Sequence, residues 1–227
     1  MHGTRPDIAV AVSVLSRYLD RPTTLHCYMV KRVYRHLMAN LRVGLHKIRK
    51  LEANTGSHAA INITCYSDAS YANSYDSRSM SGFGILLSGS LISWYSHTQS
   101  VVALSTAEAE YIALTDIAKK VVWMKLLLSE LGHPQADVVV FEDNQASIRI
   151  AKNPQDHKRT KHIRPQYHYI RDQIKDGILR LAYIPTQDQL ADIFTKALNG
   201  PRLRALRTQL GIALIPDSGG ELRTSLS

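Results

Sequence analysis

The chain has 227 residues, enough for one sizeable core plus an extension or for two small domains. Lys and Arg number 28 against 19 Asp and Glu, a formal net charge of +9 that favours a polyanionic partner such as nucleic acid. Several classes are excluded at this level: Cys27 and Cys65 read as free buried thiols of a reducing compartment, no apolar run reaches the ~20 residues of a membrane span, and MHGTRPDIAV is no secretory signal, so a soluble intracellular protein is expected.

Residues 1–50 read as a helical segment. Ile8, Val12, Leu15 and Leu19 recur at helical spacing, Pro22 breaks the pattern, and Val30, Val33, Leu37 and Leu41 resume it. Lys31, Arg32, Arg35 and Arg42 give the second helix a basic side. EANTGSHAA, falling within residues 51–60, is the linker candidate. Strands follow at Ile61–Ser67, Gly82–Leu87 and Leu91–Tyr95, the last two joined through Ser88–Ser90 as a hairpin. A helix is expected from about Thr106 to Leu131, with Ala107, Tyr111, Leu114, Ala118, Val121 and Leu128 as its apolar stripe and Gly132 as its stop. Val138–Phe141 is a wholly apolar strand, as suits a strand covered on both faces. Then come a helix from about Asn144, a basic loop, a helix over Arg164–Asp176, a strand at Leu179–Ile184 and a helix over Asp188–Leu198. Residues 201–215 read as a helical extension and 216–227 as a disordered tail. The pattern describes an α/β domain over residues 61–200, a mixed five-stranded sheet covered by helices.

Four acids fall where such a sheet brings strand ends and helix starts together. Asp68 closes the first strand in YSDAS, where an Asx-turn residue is the commoner use of an isolated Asp. In LSTAEAEY, Ser105 as N-cap puts Glu108 at the capping-box position, which leaves Glu110 on the inner side of the helix with Leu114 and Ile117. Asp143 ends the buried strand and is preferred over Glu142, which should alternate outward, with a helix cap as its competing role. Asp188 suits an N-cap, which leaves Asp192 one turn further on as the candidate ligand. Two carboxylates about 4 Å apart repel by roughly 4 kcal/mol at an effective dielectric near 20, so a nest of four needs cations or raised pKa values. Hard oxygen donors select Mg²⁺ or Mn²⁺, and a pair of such ions suits phosphodiester hydrolysis.

The densest basic cluster is Lys158, Arg159, Lys161 and Arg164, flanked by His157, His162 and His168. A phosphate-backbone contact is expected there for Lys158, Arg159, Lys161, His162 and Arg164. A zinc site is disfavoured, because no cysteine accompanies the histidines.

Taken in order, YSDASYANSYDSRSMSGF, ISWYSHTQSVVALSTAEAEYIAL, FEDNQASIRIAKNP, HKRTKHI and IPTQDQLADIFTKAL resemble the successive motifs of the ribonuclease H domain in copia-type LTR retrotransposon Pol polyproteins. TRPDIAVAVSVLSRYLDRPT is similar to the end of that family's reverse transcriptase, which makes residues 1–50 its C-terminal remnant. The resemblance spans Thr4 to about Gly211. It implies a ribonuclease H fold, a two-ion Mg²⁺ or Mn²⁺ site on Asp68, Glu110, Asp143 and Asp192, and cleavage of the RNA strand of RNA–DNA hybrids. It also implies work in a cytoplasmic virus-like particle or the nucleus, beside the remainder of the reverse transcriptase. The loop IPTQDQ lacks the mobile histidine of many cellular ribonucleases H, with His162 as a substitute, and the polymerase carboxylates are absent, so no polymerase activity is expected. The rival expectations are a catalytically idle transposon remnant that binds nucleic acid without cutting it, and a scaffold whose helical N-terminal segment binds a protein.

Overall fold

The computed structural model describes residues 4–45, 62–72, 76–136, 138–152 and 164–215, and of residues 164–167 the backbone alone. The linker at 51–60, the tail at 216–227 and the basic-loop residues Lys158, Arg159, Lys161 and His162 lie outside the described residues.

The centre is a mixed five-stranded sheet of β2 (Ile63–Ser70), β3 (Met80–Leu87), β4 (Ser90–Thr98), β5 (Val138–Glu142) and β6 (Leu179–Tyr183), in the spatial order β4-β3-β2-β5-β6. The first three strands form an antiparallel meander, and β5 and β6 add in parallel. Ser88 and Gly89, both at positive φ, make the two-residue turn between β3 and β4, a conformation whose twist matches the flanking strands. The strand β4 runs three residues beyond the expected Tyr95 end, pairing Thr98 with Met80.

One face of the sheet carries α3 (Thr106–Glu130), α4 (Gln145–Lys152) and α5 (Arg164–Lys175). The expected stripe packs there: Tyr111, Leu114, Ala118, Val121 and Leu128 meet Ile63, Cys65, Val138 and Val140, while Ala107 stays half-buried. Full burial of one such large side chain contributes about 1.5–3 kcal/mol. Gly132 takes positive φ just past α3, and the His133 N–H returns to the Leu128 carbonyl at 2.8 Å, closing the helix end.

The other face is covered by a second core built from both ends of the chain. Phe194, Leu206, Leu210 and Ile212 pack with Leu86 and Leu91 of the sheet and with Val43, and Ala9 adds to it. The N-terminal segment forms α1 (Ala9–Ser16) and α2 (Thr24–Ala39), then β1 (Val43–Leu45). The C-terminal stretch expected to be helical throughout is α6 (Gly200–Gln209) followed by β7 (Ile212–Leu214), which pairs antiparallel with β1. Arg207 reinforces the closure by donating to the Asn40 side chain at 3.2 Å. Cys27, expected to be buried, is exposed on α2, a helix with no buried residue, so its thiol lies outside any core.

The expected helix over Asp188–Leu198 is replaced by two short 3₁₀ turns, Thr186–Asp188 and Leu190–Phe194. Leu190, Ala191, Ile193 and Phe194 are all buried, so both sides of the segment are committed to packing, which suits a tight turn better than a one-faced helix. Among the described residues, no helix is long and apolar enough to cross a membrane.

Candidate metal centre

The strands β2 and β5 are parallel neighbours, so their carboxyl ends emerge on the same edge of the sheet, where α/β proteins assemble sites. Asp68 sits near the end of β2, opposite Gly82 of β3, and is fully buried. Asp143 immediately follows β5 and is half-buried. The start of α3 arrives beside them. Its N-cap Ser105 accepts from the Glu108 N–H at 3.2 Å, and the Glu108 carboxylate accepts the Leu104 N–H at 2.8 Å, which uses Glu108 as a cap. Glu110 is 6% exposed, and its Oε2 has no hydrogen-bond partner among the described residues.

Asp68, Glu110 and Asp143 each offer an oxygen, and these atoms lie within 4.8 Å of one another. Burial pushes the Asp68 carboxyl up to about 6, against the opposing pull of Lys196 and the Thr195 hydroxyl. Burial first, then the charges of Glu142, Asp68 and Asp143, hold Glu110 well above the usual carboxylate range. Three acids from three elements, one with an orphaned buried oxygen, make a donor set of hard oxygens that fits Mg²⁺ or Mn²⁺.

Asp192 stands apart from this trio. It is 5% exposed, within the turn Leu190–Phe194, and both its oxygens are bonded to cations: Lys196 Nζ donates to Oδ1 at 2.6 Å and Arg202 Nη2 to Oδ2 at 3.0 Å. Lys196 also donates to Asp68 Oδ1 at 3.0 Å, so a lysine bridges Asp68 and Asp192. Asp188 is exposed and, among the described residues, caps neither turn. Gln189 takes that task, accepting the Ala191 N–H at 3.2 Å while its amide donates to the Ser67 carbonyl at 2.8 Å.

Glu142 corrects the expectation that it alternates outward. It is fully buried, on the same side of β5 as Val138 and Val140, with Oε1 accepting the Asn144 N–H at 3.1 Å and Oε2 unpartnered among the described residues. Burial raises its pKa well above the ordinary value. Alternation from the buried Val138 and Val140 was the available signal: position 142 shares their parity. Thr195, whose hydroxyl donates to Asp68, and Arg202 of α6 were also missed. Nothing in the local sequence separates them from ordinary surface residues, because their role depends on contacts far along the chain. Arg164 opens α5, and its side chain is outside the described residues.

No family model matches the chain. It is 39% identical over 210 residues to the retrovirus-related Pol polyprotein from transposon TNT 1-94 of Nicotiana tabacum, an alignment covering 92% of this chain and 15% of that protein. It is 37% identical over 226 residues to the Pol polyprotein from transposon RE2 of Arabidopsis thaliana, covering 97% of this chain and again 15% of the relative. The chain therefore spans about one-seventh of the length of these relatives. Among solved structures, an LC11 ribonuclease H1 in complex with an RNA/DNA hybrid overlaps 59% of this chain and 94% of its own at 17% identity and a TM-score of 0.47. At 39% and 37% identity over more than nine-tenths of its own length, the chain is homologous to a segment of the retrovirus-related Pol polyproteins of these plant transposons.

Proposed function

We propose that this chain is the ribonuclease H portion of a transposon Pol polyprotein, a metal-dependent endonuclease that hydrolyses the RNA strand of RNA–DNA hybrids during reverse transcription. The observation that carries the reading is the convergence of Asp68, Glu110 and Asp143 within 4.8 Å at one edge of the sheet. The motif order supports a hybrid substrate, homology to transposon Pol polyproteins is in keeping with it, and the net charge of +9 suits a polyanion.

Asp68, Glu110 and Asp143 would hold one divalent ion, and Asp68 with Asp192 a second. Such ions supply water activation and stabilisation of the leaving oxygen in phosphodiester hydrolysis. The chain's own residues do the rest. The Thr195 hydroxyl fixes the Asp68 carboxylate, Glu142 holds the Asn144 N–H and so the turn that carries Asp143, and Gln189 ties the Asp192 segment to β2. Lys158, Arg159, Lys161, His162 and Arg164 are assigned to phosphate contacts along the hybrid. The domain works beside the rest of the reverse transcriptase, in the cytoplasm or nucleus, with residues 1–50 as that enzyme's C-terminal end.

A labelled RNA–DNA hybrid incubated with the purified chain tests this. RNA cleavage in Mg²⁺, none in chelator, and none of a matched DNA duplex is the expected result. Metal-independent cleavage, or none in either Mg²⁺ or Mn²⁺, overturns it. A second reading, binding without cutting, draws support from the full cation pairing of Asp192 and is separated by the same assay: retention of the intact hybrid in Mg²⁺ is its signature.

A further inference from the structure

The cation between Asp68 and Asp192 is a side chain of the protein. Lys196 lies four residues after Asp192, and backbone bonds from the Thr195 and Lys196 N–H groups to the Asp192 carbonyl, at 3.2 and 3.0 Å, curl the chain so that the ammonium returns over the carboxylate. Its Nζ meets Asp192 at 2.6 Å and Asp68 at 3.0 Å.

The two cations on Asp192 differ in how firmly they are held. The Arg202 guanidinium also donates to the carbonyls of Thr186, Gln187 and Gln189, so it staples the loop and cannot leave without breaking it. The Lys196 side chain is 34% exposed, has solvent beside it, and is the one that can swing away. An ammonium and a divalent ion cannot share the same pair of oxygens. Mg²⁺ keeps near-ideal octahedral geometry and several waters, which the occupied space does not admit.

We propose that Lys196 is the resident occupant of the second cation position: the free protein takes one divalent ion on Asp68, Glu110 and Asp143, and a second reaches Asp68 and Asp192 only when Lys196 withdraws. The inference rests on the metal-dependent reading above. Its consequence is an order of events. The free protein keeps the Asp192 side of the site charge-balanced without a second ion, and the phosphates of an arriving hybrid offer Lys196 another anion, so loading of the second ion is tied to substrate.

Counting ions tests it without reference to cleavage. Mn²⁺ binding to the free full chain is followed by calorimetry and by the EPR signal of unbound Mn²⁺, for wild type, Lys196→Met and Lys196→Arg. The expected counts are one ion for wild type and for Lys196→Arg, and two for Lys196→Met, with the second at least tenfold tighter than any second ion of wild type. Two comparable ions on wild type, or one on Lys196→Met, overturns the assignment of Lys196 while leaving the metal-dependent reading standing. No ion on wild type overturns both. Should Lys196→Met fail to fold, acylation of lysines in the wild-type protein read by mass spectrometry supplies the test. Lys196 should label at least tenfold more slowly than the exposed Lys119 with or without one equivalent of Mg²⁺, and labelling at the Lys119 rate overturns the proposal.

Discussion

Gly82 is the residue through which the sheet sets the site. It lies opposite Asp68 in the β2–β3 register, and a Cβ placed on it would stand 2.6 Å from Thr195 Cγ2, 2.7 Å from Phe194 Cβ and 2.8 Å from the Phe194 carbonyl oxygen. Restoring the Thr195 contact to an ordinary 3.4 Å requires a displacement of about 0.8 Å. Thr195 can rotate its methyl aside, but the carbonyl oxygen and Cβ of the fully buried Phe194 stand almost as close and cannot be cleared by rotating a side chain. Gly82→Ala should therefore cost about 3 kcal/mol, the upper part of the overpacking range. At 2–4 °C per kcal/mol for a chain of this size, Tm falls by about 6–12 °C. The same displacement shifts the Thr195 hydroxyl that positions Asp68, and misplacement near 1 Å costs on the order of 10²-fold in rate. Gly84→Ala is the internal control. Its Cβ meets the far edge of the Phe194 ring at 2.9 Å and Leu91 Cδ1 at 3.3 Å, side-chain atoms that yield more easily, so about 1 kcal/mol is expected. Differential scanning fluorimetry with hybrid cleavage on the same samples decides it. A Gly82→Ala protein melting within 2 °C of wild type and cutting within threefold of its rate would refute the coupling of β3 to the site.

Asp143→Asn should abolish hybrid cleavage while raising Tm in chelator, because it removes one of three mutually repelling carboxylates; a fall in Tm would show that Asp143 supports the fold itself. Glu142→Gln keeps an oxygen for the Asn144 N–H and replaces a carboxyl whose ionisation burial disfavours, so at pH 7 it should raise the metal-free Tm, and a lower Tm would mean that Glu142 has an unseen partner. The pH dependence follows from Asp68, raised by burial to about 6. Between about pH 4 and 6 the folded protein keeps a proton that the unfolded chain has released, so metal-free stability falls as pH rises through that window, by on the order of 3 kcal/mol, and levels off from this group above it. A divalent ion must displace that proton, so Mg²⁺ affinity, read as the Mg²⁺-induced rise in Tm, should strengthen as pH rises through 6. Metal-free stability that climbs from pH 4 to 6, or a Mg²⁺ effect that weakens over it, would contradict the assignment.

The strands and the long helix were legible because their signals are local: β-branched and apolar runs for β2, β3 and β5, an uninterrupted stripe with a Gly132 stop for α3, and a two-residue turn at Ser88–Gly89. The positions of Asp68, Glu110 and Asp143 were legible for the same reason, since strand ends and helix starts can be counted along the chain. The turn Leu190–Phe194 was not, because its burial on both sides comes from α6 and the sheet, and helical spacing of Asp188 and Asp192 imitated a helix. The β1–β7 pair joins residues more than 160 positions apart, through three-residue strands too short to carry a pattern. Lys196 lay in plain view four residues after Asp192. That it reaches Asp68 depends on the turn geometry, which spacing alone does not disclose.

The most direct test of the central claim compares wild type and Asp143→Asn on one end-labelled RNA–DNA hybrid in Mg²⁺, with a folded Tm verified for both. The account predicts internal cuts in the RNA strand by wild type and at least a thousandfold slower cutting by Asp143→Asn, with hybrid binding retained by both. Equal cleavage by the two proteins, or an RNA strand left intact by wild type, would contradict it.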